Sequence, residues 1–291
     1  MARVAFLGPA GTVSQESAVY FFNGQTHDFI PYPFIADVFK ATAAGETDYS
    51  VVPIENTIEG SVKIHVDQLV QYSELPIQAE WIYPSMQNLI GYRSEESGSP
   101  LSHVKTILSI DVAVAQCLAY LGEHLPGVKF EYVSSTAEGV RRVKEEQNPT
   151  LAAIGTRLAA QLYDLDILAS NITDHQNNFT RFILVGPRPP QRSRKPEHYK
   201  TTLLVTLPED FPGALHQVLA AFAWRKINLT KIESRPTKLK LGSYYFYIDA
   251  AESIDSVLLP AALSEIEALG CQVKVLGSYP SYTFEKTNLE V

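Results

Sequence analysis

The chain is poor in the features that would place it in several large protein classes. It has only two cysteines, Cys117 and Cys271, among 291 residues. Two thiols cannot build a disulfide framework or a cysteine zinc site, so a reducing, cytoplasmic setting is expected. Positive charge is also scarce: 24 Lys and Arg face 32 Asp and Glu, for a net charge of −8. A nucleic-acid partner would require a basic surface, so none is expected. No apolar run nears the roughly 18 residues of a membrane span, so no membrane partner is expected either. The apolar stretch after Arg3 ends at Gly8-Pro9, too soon for a signal peptide. The seven histidines show no HExxH pattern, and His65, His103 and His175 read as ordinary polar or partly buried residues. No metal and no cofactor is therefore expected. Gly8-Pro9-Ala10-Gly11-Thr12 matches neither a dinucleotide nor a P-loop fingerprint. What remains is an ordinary globular balance, 45% hydrophobic and 19% charged, with a length that suits two domains.

A proline-rich stretch divides the chain. Gly186 to Lys200 carries Pro187, Pro189, Pro190 and Pro196 with Arg188, Arg192, Arg194 and Lys195. It reads as an extended, solvated linker over about 187–199. Residues 1–186 hold 11 basic and 21 acidic residues, and the remainder 13 and 11. Before the linker, short apolar runs alternate with helical spacing: Val4 to Leu7, then Ile35, Val38 and Phe39, then Tyr49 to Pro53, then Val62, Val66 and Leu69. Ile107-Leu108 leads into one helix over Val112 to Leu121, and Ser135 to Glu138 has capping-box spacing. Such alternation predicts parallel α/β sheets that bind ligands at the strand C-terminal ends. After the linker the order is strand, helix, strand, strand, helix, strand, a ferredoxin-like βαββαβ pattern over 200–291.

Three loops before the linker carry groups suited to a small anionic ligand. Pro53 to Val62 reads as a strand end leading to a helix start. It offers Glu55, Asn56, Thr57, Gly60 and Ser61 beside free helix amides, or else is a capped helix with a polar first turn. Ser109-Ile110-Asp111 opens the helix with Gln116 and Cys117, with Ser109 as a possible N-cap and Cys117 as a buried thiol. Asn177 to Phe182 places Arg181 at a strand entrance, either as a bidentate carboxylate anchor or in a structural ion pair.

Together these segments resemble prephenate dehydratase with a C-terminal ACT regulatory domain. The likeness rests on Gly8-Pro9-Ala10-Gly11-Thr12, on Pro53-Ile54-Glu55-Asn56-Thr57-Ile58-Glu59-Gly60-Ser61-Val62 and on Thr180-Arg181-Phe182. After the linker it rests on Gly213-Ala214-Leu215 and Glu233-Ser234-Arg235-Pro236. Thr57 stands where the family usually has serine, and Ile110-Asp111-Val112 where it commonly has His-Pro-Gln. The resemblance implies an α/β, bilobal catalytic region like type 2 periplasmic binding proteins. One lobe would span about 1–76 and 175–186, the other about 77–174, with the cleft between them.

It implies decarboxylating dehydration of prephenate to phenylpyruvate in phenylalanine biosynthesis, with no cofactor. Thr180, Arg181, Phe182, Asn56, Ser109, Gln116 and Glu55 would be catalytic. Thr57, Gly60, Ser61 and Gly11 would contact substrate. A homodimer or homotetramer is implied, with L-phenylalanine as allosteric inhibitor at paired ACT domains. Its site would use Gly213, Ala214, Leu215, Asn228, Leu229, Thr230, Glu233 and Ser234. The competing readings are arogenate dehydratase and a non-catalytic amino-acid sensor.

Overall fold

The structure, a computed structural model, describes residues 1–23, 25–93, 101–175, 177–192, 194–209, 211–237 and 244–285. Two compact units emerge. The first comprises Met1–Leu69, Ile82–Phe182 and the chain end from Phe284; the second comprises Val70–Trp81 and Ile183–Thr283.

The first lobe of the first unit opens with β1 (Arg3–Leu7), α1 (Val13–Phe21), β2 (Asp28–Tyr32) and α2 (Ile35–Ala43). It continues with β3 (Tyr49–Asn56), β4 (Gly60–Ser61) and α3 (Lys63–Gln71). β1 pairs in parallel with β2 and β3, as the alternating pattern predicts. Val4, Ala5, Phe6, Val51 and Val52 are fully buried between helices, which is why these strands read as continuous apolar runs. β5 (Ile77–Pro84) then carries the chain onward, its first residues in the second unit and its last in the first.

The other lobe is built from β6 (Asn88–Gly91), β7 (Thr106–Ser109), α4 (Asp111–Ala115), α5 (Leu118–His124) and β8 (Lys129–Tyr132). It is completed by α6 (Thr136–Glu146), β9 (Leu151–Gly155), α7 (Arg157–Leu162) and β10 (Asp166–Ala169). The strand order is β10-β6-β9-β7-β8. This sheet is mixed rather than parallel: β7 runs parallel to β8 and β9, but β6 is antiparallel to β9 and β10. The reversal arises because the chain enters the lobe at β6 and leaves it after β10. At α6 the expected cap forms, with the Glu138 amide donating to Ser135 Oγ at 3.0 Å. Such a cap is worth about 1 kcal/mol. β11 (Phe179–Val185) returns to the first lobe, giving the order β11-β3-β1-β2 there.

The second unit contains β12 (His198–Thr206), α8 (Ala214–Trp224), β13 (Leu229–Pro236), β14 (Tyr244–Ala250), α9 (Leu258–Ala268) and β15 (Gln272–Tyr282). The βαββαβ order is the expected one. Leu203, Val205, Ile248 and Ala250 face Val218, Phe222, Leu263 and Ile266 in one core. Each large side chain there contributes roughly 1.5–3 kcal/mol by leaving water. The buried face of α8 is Ala214, Val218, Ala221 and Phe222, while Leu215 is only partly covered.

The sequence pattern did not anticipate a fifth strand. β5 joins the sheet beside β15, with Ser281 opposite Glu80 and Tyr282 opposite Trp81. Glu80 is fully buried and bonded to Lys200 Nζ and Ser281 Oγ, both at 2.6 Å. The proline-rich stretch is likewise less solvated than its composition implies. Arg192 lies 4.4 Å over the Tyr282 ring, and Arg194 donates to the Thr283 carbonyl. Among the described residues no helix is long and apolar enough to cross a membrane.

Candidate active site

The C-terminal ends of β1, β2 and β3 and the N-terminal end of β11 lie on one side of the first unit. The C-terminal ends of β7, β8 and β9 lie on the other. The two lobes touch at defined points. Thr156 Oγ1 donates to the Gly11 carbonyl at 2.7 Å, and the Leu158 amide donates to Glu16 Oε1 at 3.0 Å. Gly11 is buried at this contact with φ of +90°, and a Cβ there would come within 2.9 Å of Ala159 Cβ. Its glycine is thus required by lobe packing, and its carbonyl is already bonded. Between Pro9, Tyr32 and Pro33 on one side and Ser134 and Glu138 on the other lies a crevice of about 450 Å³.

The Pro53–Val62 segment is a hairpin, which corrects the strand-to-helix expectation. Glu55 and Asn56 pair with Ser61 and Gly60 across a turn, and α3 starts only at Lys63. The amides of Ile58 and Glu59 are not free for an anion, because both donate to Asn56 Oδ1, at 2.8 and 3.0 Å. With its oxygen committed, Asn56 turns its nitrogen to Asn178 Oδ1 at 2.9 Å and Thr180 Oγ1 at 3.0 Å. Asn178 must then present its own nitrogen to Gln116 Oε1, at 2.9 Å. Two backbone amides thereby set three side-chain amides in series, leaving Gln116 Nε2 as a donor with no partner among the described residues. Thr180 Oγ1 also lies 2.7 Å from Ser85 Oγ, and the Ser85 amide donates to the Asn178 carbonyl.

Gln116 does not sit within a continuous helix. The expected helix over 112–121 is broken into α4 and α5, with Gln116 and Cys117 at the junction. Asp174 causes the break: its carboxylate accepts the Ala119 and Tyr120 amides at 2.9 and 3.1 Å, and its own amide donates to the Gln116 carbonyl. Cys117 is fully buried, and burial first, then Asp174, pushes its thiol up to about 12. Ser109 is the last residue of β7 rather than an N-cap; that position belongs to Ile110. Its hydroxyl is buried without a hydrogen-bond partner. No bond joins it to the Asn56–Asn178–Gln116 series.

Alternation along β11 and β3 separates Thr180 from Arg181. Thr180 meets Asn56, whereas Arg181 meets Glu55 at 3.4 Å, with 7% of the guanidinium side chain exposed. Phe182 is buried. Thr57 Oγ1 donates to the Asn177 carbonyl and accepts the Phe179 amide, tying the hairpin to β11. Gly60 and Ser61 form the short return strand, and Gly60 has φ of +77°.

Ser85 lies in no local motif, and Asn178, although within the Asn177–Phe182 loop, is not among the expected site residues; both gain their positions from pairing across 95 and 122 residues. The other lobe contact, at Glu16, is also new. Its side chain is half-buried and its pKa raised, chiefly by desolvation, against the opposing Leu158 amide and the Tyr83 hydroxyl. Desolvation and Glu16 in turn push the Tyr83 phenol upward.

In the second unit Gly213 takes the left-handed position, φ +95°, just before α8. Asn228 directly precedes β13, Leu229 and Thr230 begin it, and Glu233 lies 3.6 Å from Arg235 and 3.7 Å from Lys231. Register places the strand entering the α8 loop and the start of β13 at opposite sheet ends. Thr206 is opposite Tyr245, which is opposite Arg235; Thr201 is opposite Ala250, which is opposite Leu229.

Comparison with known proteins relates the chain as a whole to one family. A family model described as prephenate dehydratase covers residues 4–190, and one described as ACT domain covers 201–271. The prephenate dehydratase of Bacillus subtilis (strain 168) is 41% identical over 286 residues, spanning 96% of this chain and 99% of that protein. That of Methanocaldococcus jannaschii is 39% identical, spanning 96% and 98%. A solved prephenate dehydratase in complex with L-Phe, from Arthrobacter aurescens, superposes with a TM-score of 0.83 at 37% identity, covering 96% and 90% of the two chains. A structure described as GqqA, a novel type of quorum quenching acylases, also reaches a TM-score of 0.83, at 27% identity, covering 96% and 98%.

Proposed function

The chain belongs to the prephenate dehydratase family, and from that premise we propose that it converts prephenate to phenylpyruvate, carbon dioxide and water. Prephenate is a cyclohexadiene with a ring carboxylate, a pyruvyl side chain and a ring hydroxyl. The bond to the ring carboxylate breaks, its electrons enter the ring, and the hydroxyl leaves with one proton taken up from the medium. Aromaticity drives the step, so the protein has to orient a dianion and assist the departing oxygen.

The hydrogen-bonded Thr180 hydroxyl carries this reading. It lies at the head of a series of neutral amides, Asn56, Asn178 and Gln116, all fixed in orientation. Neutral donors suit a substrate that must lose a carboxylate, because clamping that group would stabilise the ground state. Thr180 directs a hydrogen bond at the leaving oxygen, and Gln116 Nε2 supplies a second donor for the ring substituents. Arg181 acts through Glu55, shaping the loop, and draws the pyruvyl carboxylate electrostatically. Phe182 backs the strand from the core. Ser109 enters the site as a donor only when substrate meets its unpartnered hydroxyl. Gly11, Thr57, Gly60 and Ser61 act as scaffold for the groups that touch substrate.

An acylase reading finds less support here. It needs a nucleophile activated by a base. Thr180 and Ser85 bond to each other and to amides, not to an imidazole or carboxylate.

Feedback inhibition by L-phenylalanine at paired ACT domains completes the proposal. Gly213-Ala214-Leu215 stands at the start of α8 and Asn228-Leu229-Thr230 beyond its end, so the eleven residues of the helix, roughly 16 Å along its axis, separate them. One copy cannot bring them to one small ligand. A two-fold pair of domains can set the helix start of one against the strand start of the other, which supports at least a homodimer.

Adding prephenate to purified protein tests the reaction: phenylpyruvate should accumulate at an enzymatic rate. Turnover of arogenate alone would move the assignment to the amino-acid analogue, and turnover of neither would overturn it.

A further inference from the structure

The direction of each hydrogen bond at Thr180 can be worked out from the far end of the series. Because the Ile58 and Glu59 amides occupy Asn56 Oδ1, it is the Asn56 nitrogen that faces Thr180 Oγ1 and donates in that 3.0 Å contact, its two hydrogens being shared with Asn178 Oδ1 at 2.9 Å and the Phe179 carbonyl at 3.2 Å. One threonine lone pair is therefore filled. The remaining contact, 2.7 Å from Ser85 Oγ, can run either way. A hydroxyl has one proton and two acceptor sites. If Thr180 donates to Ser85, it has no proton to offer a ligand. If Ser85 donates, both acceptor sites of Thr180 are filled and its proton can point only away from the pair.

We propose that Ser85 is a positioning residue for the dehydration: in the substrate complex it donates to Thr180, so that the threonine proton is held toward the departing hydroxyl. This deepens the dehydratase reading and rests on it. Ser85 is well held for the task. Its amide donates to the Asn178 carbonyl at 2.8 Å, and the Asn178 side-chain nitrogen lies 3.4 Å from the Ser85 carbonyl. The same Asn178 receives Asn56, so both donors to Thr180 are pinned to one asparagine. Ser85 is buried, which keeps water from replacing its hydroxyl. No proton leaves Ser85 in this role.

The test is a double-mutant cycle in the full chain with prephenate, measuring kcat and KM for wild type, Ser85→Ala, Thr180→Ala and the double variant. Ser85→Ala should lower kcat roughly tenfold with KM little changed, the loss from one misdirected donor. In the Thr180→Ala background the same change should cost nothing further, because Ser85 acts only through that hydroxyl. Ser85→Thr, which keeps a donor, should retain most of the activity. An unchanged kcat in Ser85→Ala, or an equal loss whether or not Thr180 is present, overturns the inference. A wild type inactive on prephenate removes the dehydratase reading itself, whereas an active wild type with additive losses removes only the role of Ser85.

Discussion

Thr180 is the side chain on which most of the proposed chemistry converges, and its hydrogen-bond partners, Asn56 and Ser85, are neutral. Thr180→Ala is expected to lower kcat by roughly 10²–10³ with little effect on KM, the scale seen when one transition-state donor is removed. Steady-state kinetics checks it, and wild-type turnover would exclude the role. Cys117 makes the opposite prediction. With its thiol buried and pushed up to about 12, it stays protonated near neutrality. Incubation of the native protein with iodoacetamide should leave activity intact. Asn56, Gln116 and Thr180 could be singled out in the sequence because each lies in a recognisable local pattern. Ser85 and Asn178 could not. A serine after a proline and an asparagine in a polar loop gain meaning only from partners far along the chain.

Elements show the same division. Strands β1, β3, β9 and β11 and helices α2, α6 and α9 follow from apolar period and turn residues. The α4–α5 break does not, because Val114, Cys117 and Leu121 keep helical spacing across it and are all buried. The cause, Asp174, lies more than 50 residues later. Glu16 on α1 is similarly read only in three dimensions, where it accepts an amide from the first turn of α7. Its raised pKa means that the folded state binds more protons than the unfolded one. Stability from this group is therefore full below the ordinary carboxylate value near 4.5 and is lost as pH rises through the folded value. Glu16→Gln abolishes that slope. The Tm of the variant relative to wild type should climb as pH is raised from 4 to 7 in thermal unfolding. A constant difference would show that Glu16 does not titrate in this window.

For the whole molecule, the regulatory proposal predicts complementation between copies. Gly213→Val and Asn228→Ala should each weaken phenylalanine inhibition in the full chain while leaving basal kcat near wild type. Co-expressing the two should restore part of it, since mixed pairs retain one site with both halves native. Inhibition curves on the purified mixture check this, and no recovery would argue against a site shared between copies. The full chain is the right material. A chain cut near Pro187 would remove Lys200 and Ser281, which hold the Glu80 carboxylate, together with β15, the strand beside β5.

The path of the backbone gives the Ser85–Thr180 pair a mechanical setting. The chain leaves the second unit after Trp81 and reaches Ser85 four residues later; it passes Thr180 three residues before re-entering that unit at Ile183. Two oxygens 2.7 Å apart thus sit on neighbouring segments, one on β11 and one directly after β5, each a short run of chain and so two tethers to the same sheet. A slip of about half an ångström between the tethers would carry the oxygens past the usual O–H···O range. The threonine proton would then be free to swing.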